Sequence, residues 1–242
     1  MHQHYRTKAI VLKKEDRGEA DQVFTLFSQE FGKIEVVGKA IRKINSKLRA
    51  GIDTSYLVEV EFIQGKNQKT LTDAIVIEKN TNSFEVQELF GKILDSVDSL
   101  VVKEEQDERV WELLYSALQV FSSSSGGALS LVYYAFLWKF FSLLGYAPEL
   151  YHCIICNNKL LPETFSFYAS EGGIVCWQCI KKIPVEDKQF VKQIAVNVVK
   201  ILRLILQKDI NFLIRVSATV GDLQNLEAIT SLYFDYLKEV VA

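Results

Sequence analysis

The sequence lacks the short motifs that most often mark an enzyme. It has no Gly-x-x-x-x-Gly-Lys-Ser/Thr loop to cradle phosphates and no Gly-x-Ser-x-Gly elbow to expose a nucleophile. A His-Glu-x-x-His pair is also missing, and the 3 histidines (His2, His4 and His152) are too scattered for a catalytic cluster. Paired carboxylates such as Glu104 and Glu105 sit in a polar turn and read as solvated charge. Membrane-length apolar runs are missing too. The most apolar stretch, Ala128–Leu144, contains Ser130, Lys139 and Ser142 and is bounded by Gly127 and Gly145, so it reads as a buried helix. Met1–Tyr5 leads directly into a polar, strand-like segment, and no secretory leader is expected. No internal repeat is visible. These absences argue against an enzyme, a membrane protein and a secreted protein, and a cytoplasmic protein is expected.

What is present is a 242-residue chain with 49% hydrophobic and 24% charged residues, enough to bury a sizeable core. The formal net charge of -2 conceals an asymmetry. Residues 1–79 hold 14 Lys+Arg against 11 Asp+Glu, and the remainder 14 against 19. A basic first part joined to an acidic remainder suits two kinds of partner surface.

The periodicity changes near residue 80. Before it, segments 6–13, 22–28, 33–38, 56–63 and 69–78 are rich in Val, Ile, Tyr, Phe and Thr. Tyr56, Val58, Val60 and Phe62 alternate with Leu57, Glu59, Glu61 and Ile63, the period-2 pattern of a strand. Five short strands predict a small closed sheet, either an OB barrel or an SH3-like barrel. Beyond Asn82 the period is 3.6, with Val86, Leu89, Phe90, Ile93, Leu94, Val97, Leu100 and Val101 on one helical face. Further helices are predicted at 107–121, 128–144, 187–207 and 219–240. Val191, Ile194, Ala195, Val198, Leu202 and Ile205 form the stripe of the fourth. The expected layout is α+β: a barrel domain over 1–80 and a helical domain over 81–242, the latter interrupted by a small module at about 150–183.

That module contains all 4 cysteines, as Cys153-x2-Cys156, 19 residues, then Cys176-x2-Cys179. Two residues between thiolates let a tight knuckle present both sulfurs to one tetrahedral ion, and a hairpin brings the two knuckles together. Gly172 and Gly173 precede the second knuckle, where backbone freedom eases the turn. Disulfides are disfavoured in a reducing compartment, a redox pair would want a βαβ unit, and paired knuckles favour zinc over an iron–sulfur cluster. Four thiolates leave no open position, so the expected zinc is structural. His152 is surplus to the ligand set.

Between Val36 and Ile52 there is no acidic residue, while Lys39, Arg42, Lys43, Lys47 and Arg49 are all basic. Such a loop on a barrel is a candidate groove for a phosphate backbone, and the competing reading is a solvated charged loop. Lys8, Lys13, Lys14, Arg17 and Lys33 would enlarge the field. The barrel aromatics Tyr5, Phe24, Phe27, Phe31, Tyr56 and Phe62 are candidates for stacking on bases, although alternating strand aromatics usually face inward.

Taken in order, these pieces resemble the bacterial RecO family of recombination mediators. The likeness is carried by Lys8-Ala-Ile-Val-Leu12, Gly18-Glu-Ala-Asp21, Thr25-Leu-Phe-Ser28, Glu30-Phe-Gly-Lys33 and Lys39-Ala-Ile-Arg-Lys-Ile-Asn-Ser-Lys47. It continues through Leu144-Gly-Tyr-Ala-Pro-Glu-Leu150, Cys153-Ile-Ile-Cys156 and Ser170-Glu-Gly-Gly-Ile-Val-Cys176-Trp-Gln-Cys179. The resemblance implies an OB domain, a helical domain and an inserted four-cysteine zinc module. It also implies a non-enzymatic role in the RecF pathway of DNA repair: binding single- and double-stranded DNA, annealing complementary strands, and helping RecR load RecA on DNA coated by single-strand-binding protein. A cytoplasmic, nucleoid-associated protein follows. By position, Lys33, Lys39, Arg42, Lys43 and Lys47 are the expected DNA contacts, with Arg49 added from the basic stretch itself, and the four cysteines are the zinc ligands. A protein-interaction scaffold with weak nucleic-acid binding and no annealing activity is the alternative. Two departures stand out. Ala40 occupies a position where the family usually has glycine, and the chain stops at Ala242 where many relatives continue into a basic tail, so contacts made by that tail are expected to be missing.

Overall fold

The computed structural model describes residues 3–79, 83–101, 104–123, 129–161 and 165–241. Contacts divide the chain into two compact units, Met1–Ser125 and Gly126–Ala242. The change of period at residue 80 and this division are different points, because two helices belong to the first unit.

In the first unit, β1 (His4–Arg17), β2 (Asp21–Ser28), β3 (Gly32–Gly38), β4 (Leu57–Gln64) and β5 (Lys69–Glu78) close into a barrel in the order β1-β2-β3-β5-β4. A parallel β3–β5 pairing completes the circuit, and this connectivity selects the OB barrel over the SH3-like one. β1 is longer than its predicted segment because it serves two partners: residues 4–10 pair with β4 and residues 9–17 with β2. Its register shifts between Val11 and Lys13, a bulge that lets one strand bend around both neighbours. The alternation read from β4 holds, since Val58, Val60 and Phe62 join Ala9, Val11, Phe24, Leu26, Ile34 and Val36 in the core.

α1 (Phe84–Leu100) packs on β1, and α2 (Glu108–Ser123) packs on α1. The predicted stripe is the buried one: Val86, Phe90, Ile93, Leu94, Val97 and Leu100 face inward, with Leu89 and Val101 half-buried. α1 has no basic residue in its last turn. The carbonyls there are instead capped from the barrel, by Lys33 of β3.

The second unit is built around α3 (Leu129–Leu143), which is apolar on every side and contacts three other helices: α4 (Val196–Gln207), α5 (Ile210–Leu213) and α6 (Val220–Val241). It ends in a Schellman motif: Tyr146 N–H donates to Phe141 O, Gly145 N–H donates to Ser142 O, and Gly145 has φ +94°. Pro148 follows, as a helix stop should. The sequence-predicted helix 187–207 is only partly a helix. Glu186–Phe190 is a 3₁₀ segment and Val191–Ile194 is a strand, β8, before α4 begins. Val191 and Ile194 continue the helical spacing, yet they pair with β6 (Phe165–Tyr168), whose other edge is taken by β7 (Gly173–Cys176). A buried strand must find partners for both edges, and that tertiary demand overrides the local pattern.

Four aromatic rings join this sheet to the helices. Trp138 lies edge-on to Phe167 at 5.5 Å and stacked on Tyr233 at 5.4 Å, and Phe141 meets Tyr233 at 5.6 Å. The polar ends are satisfied, with the Trp138 indole N–H donating to Thr230 Oγ1 at 2.9 Å and the Tyr233 hydroxyl to Tyr146 O at 3.0 Å. Among the described residues no helix is long and apolar enough to cross a membrane.

Candidate nucleic-acid interface and metal centre

The loop between β3 and β4 carries the basic stretch, and its path is set by two acids on the strand ends that flank the neighbouring β1–β2 turn. Asp21 accepts the Ala40 N–H at 2.7 Å through one carboxylate oxygen and the Lys39 ammonium at 2.9 Å through the other. The Ala40 N–H bond, more than the Lys39 ammonium, holds the Asp21 carboxyl below its usual range. Arg42 donates to Gly18 O at 3.3 Å and pairs with Asp16 at 3.3 Å. Buried Ile41 and Ile52 anchor the two ends of the loop in the barrel core. Ala40 sits at φ +52°, in the left-handed region that glycine adopts without strain. The turn therefore keeps the path a glycine would give, at some conformational cost.

Beyond this anchored base the tip stands free. Lys43, Lys47 and Arg49 are exposed, and among the described residues none of the three has an ion pair or a side-chain hydrogen bond. Arg42 and Arg49 open onto a cavity of ≈ 390 Å³ that Lys14, Gln22, Asp16 and Asp53 also line. The six expected cations thus divide into three groups. Lys43, Lys47 and Arg49 are available to a ligand, while Lys39 and Arg42 are exposed but engaged in shaping the loop.

Lys33 differs from all of these and corrects the sequence expectation. It is 7% exposed, its ammonium lies 2.8 Å from Asp98 Oδ1, and it also donates to the Asp98 and Val101 carbonyls at the end of α1. It is a helix C-terminal cap that stitches β3 to α1, with no charge left to offer a phosphate. The cause is tertiary: β3 runs past the end of α1, which has no basic residue of its own there.

The barrel aromatics are also spoken for. Phe24, Phe27 and Phe62 are buried, Tyr5 and Phe31 pack edge-to-face on each other and around Phe62, and Tyr56 lies under the Lys79 ammonium. None of the six is an exposed platform. Asp16 and Asp21 are not among the site residues expected from the sequence, although they engage Arg42, Lys39 and the Ala40 N–H. The signal that could have found them is two acids flanking a glycine turn, beside a loop with no acids of its own.

In the second unit the four cysteines converge. Their Sγ atoms lie within 4.8 Å of one another, with Cys156 and Cys176 4.0 Å apart. Four sulfurs at ~2.3 Å from one tetrahedral ion would stand ~3.8 Å apart, so the set fits a metal with little adjustment. The Cys153–Cys156 knuckle is closed by Asn157, at φ +58°, whose N–H donates to Cys153 O at 2.8 Å. The second knuckle is closed by Cys179 N–H donating to Cys176 O at 3.0 Å, and the Cys176 N–H points at Cys153 Sγ at 3.4 Å. Burial works to raise the Cys153 thiol, but the N–H groups of Cys176, Cys156 and Ile155 bring it down to about 6. Burial pushes Cys179 up to about 12, helped by the neighbouring cysteines. A cation at the centre would reverse that burial penalty by stabilising every thiolate.

Gly172 has φ +62°, which glycine adopts without strain, and a side chain on Gly173 would collide with Ile154, so both positions ahead of the second knuckle favour glycine. Around the sulfurs, Tyr168, Val175, Ile183, Leu160 and Phe190 form a small separate core. His152 is exposed and takes part in a backbone bridge to Lys159, outside the ligand set.

Comparison with known proteins matches both regions. Residues 1–80 fit the family model for the N-terminal part of recombination protein O, and residues 93–239 fit that for its C-terminal part. The chain is 29% identical over 226 residues to the DNA repair protein RecO of Dehalococcoides mccartyi, covering 92% of this chain and 86% of that one. It is 30% identical over 186 residues to the namesake from Cutibacterium acnes, covering 72% and 74%. With Desulfitobacterium hafniense the identity is 28% over 178 residues, covering 72% and 64%. The two family matches, in the order in which the OB barrel and the four-cysteine unit follow along the chain, establish that this protein belongs to the recombination protein O family.

Proposed function

We propose that the protein is a non-enzymatic DNA-binding mediator of recombinational repair, which anneals complementary strands and, with RecR, helps load RecA on DNA coated by single-strand-binding protein. The observation that carries the reading is the tip of the β3–β4 loop: three cations without an ion pair among the described residues, on a base that is already held in place. Because Asp16 and Asp21 order the loop before any ligand arrives, less conformational entropy is lost on binding. Lys43, Lys47 and Arg49 then neutralise phosphates and release counterions, while base pairing between two bound strands supplies sequence recognition. Lys39 and Arg42 position the loop and add to its field. No step requires bond chemistry by the protein, and the work belongs in the cytoplasm, at the nucleoid.

The metal is zinc, held by Cys153, Cys156, Cys176 and Cys179 with no position left open, and its role is structural. By tying the two knuckles together it fixes the sheet through which Phe167 reaches the Trp138–Tyr233 cluster.

The test is a salt titration of single-strand binding by the wild type and by Lys43→Glu/Lys47→Glu, followed by annealing assays with and without RecR and single-strand-binding protein. The log–log slope should become shallower by roughly 1.4, about 0.7 for each phosphate no longer neutralised, and annealing should slow in parallel. An unchanged slope would place the DNA elsewhere. Tight binding without any acceleration of annealing would favour a scaffold.

A further inference from the structure

The six barrel rings are packed away, so any base stacking needs a platform elsewhere. Trp177 supplies one. It lies between Cys176 and Cys179 in the second knuckle and is 50% exposed, whereas the other two tryptophans, Trp111 and Trp138, are 6% and 0% exposed. Half of this large indole stands in water, on a turn closed by the Cys179 N–H donating to Cys176 O at 3.0 Å.

Beside it is a small pocket of ≈ 140 Å³ at the cysteine end of the β6–β7 hairpin, where Phe165 pairs with Cys176. It is lined by Trp177 and Leu161, both exposed, by buried Phe165, by Asn158, Lys159 and Gln178, and by Leu160 and the cysteine Cys176. Among the described residues no acid lines it. The side chains of Asn158, Lys159, Trp177 and Gln178 have, among the described residues, no hydrogen bond, ion pair or ring partner. The pocket is far smaller than the ~300–1,000 Å³ that encloses a drug-sized ligand, which excludes a whole nucleotide cofactor and suits one planar ring.

From these features we infer that the pocket is a second nucleic-acid contact, which takes one unpaired base of single-stranded DNA. The base stacks on the Trp177 indole. The amides of Asn158 and Gln178 each offer a donor and an acceptor to its edge, so no one base is demanded, and Lys159 meets the adjoining phosphate. Paired bases cannot enter, because their faces are covered by the stack and their edges are used. The pocket would therefore favour single strands over duplex, a preference the cationic loop tip cannot generate by charge alone. This inference rests on the DNA-binding reading above and deepens it.

The experiment uses the full chain, an oligothymidylate labelled at one end, and two readouts: anisotropy of the label and emission of the protein's tryptophans. Trp111 and Trp138 are buried, so quenching by the oligonucleotide reports on Trp177. Saturable quenching is expected, together with a roughly 5- to 150-fold loss of affinity in Trp177→Ala, the range that removing one base–aromatic stack produces. Trp177→Phe should keep most of the affinity while losing the quenching. Lys159→Glu, away from the cysteines, should weaken single-strand binding and leave duplex binding alone. Metal content of each variant guards against damage to the knuckle. Anisotropy binding with no change in tryptophan emission would overturn the pocket and leave the loop-tip proposal standing. Equal affinity of the wild type and Trp177→Ala would assign the pocket to another class of partner, and absence of any oligonucleotide binding would overturn both.

Discussion

Replacing Lys33 with alanine separates a cation that holds the protein together from one that holds DNA. Truncation removes an ammonium that is 7% exposed and makes three contacts: Asp98 Oδ1 at 2.8 Å, the Asp98 carbonyl, and the Val101 carbonyl at 3.4 Å. Breaking a buried ion pair from one side costs ~3–5 kcal/mol, and each hydrogen bond to a charged group contributes ~1.5–3 kcal/mol. The Asp98 side chain is 29% exposed, so water recovers part of its solvation and the net loss should be about 2–4 kcal/mol. Urea denaturation should show a lower midpoint for Lys33→Ala, with single-strand affinity of the folded protein changed less than about threefold. The double variant Lys33→Met/Asp98→Leu should regain much of the stability, since an apolar pair of similar volume often replaces a buried ion pair at little cost. A tenfold loss of DNA affinity at an unchanged midpoint would restore Lys33 to the DNA surface and refute its role as a helix cap.

Three further outcomes are expected. Ala40→Gly should stabilise the protein by about 0.5–1 kcal/mol, the ~1–2 kcal/mol relieved at φ +52° less the ~0.4–1 kcal/mol that glycine adds to unfolded-chain entropy; Ala40→Val should do the reverse in a thermal melt, and equal melting temperatures for all three would remove the strain. Asp21 has a lowered pKa when folded, first through the Ala40 N–H and then through Lys39, so its contribution is complete above its ordinary value of 3.8 and fades as pH falls through the folded value. Asp21→Asn should accordingly flatten the acid limb of the stability profile below about pH 4, and an unaltered limb would show that the contact stabilises nothing. Metal removal with a chelator, or Cys176→Ser, should loosen the unit 126–242 first, because structural zinc sites carry on the order of 10 kcal/mol of folding free energy; unchanged near-ultraviolet dichroism after complete removal, with the Trp138 cluster intact, would deny the metal that role.

How much could be read in advance depended on how local the cause was. The barrel was legible in β4 because one face of a strand meets the core and the other meets water, so Val58, Val60 and Phe62 had to alternate with Glu59 and Glu61. The cysteine cluster was legible because two residues between thiolates is a local geometric requirement, and Asn157 and Gly172 supply the turns it needs. β8 was not legible, since Val191 and Ile194 fit a helical stripe and only the open edge of β6 makes them a strand.

For the basic stretch, sequence alone determined that a run of cations without acids would sit between two strands of a barrel. Only the tertiary structure decided which of those charges are free. Asp21 lies 18 residues upstream of Lys39 and Asp16 further upstream of Arg42, and each engages its cation, while Lys33, just ahead of the run, is engaged by Asp98 far downstream. A charge is engaged or available according to what the fold brings within a few ångströms of it, and that distance is not a property of the chain's order. The same reason separates the tryptophans: all three are equally apolar in the sequence, and packing alone leaves Trp177 in water.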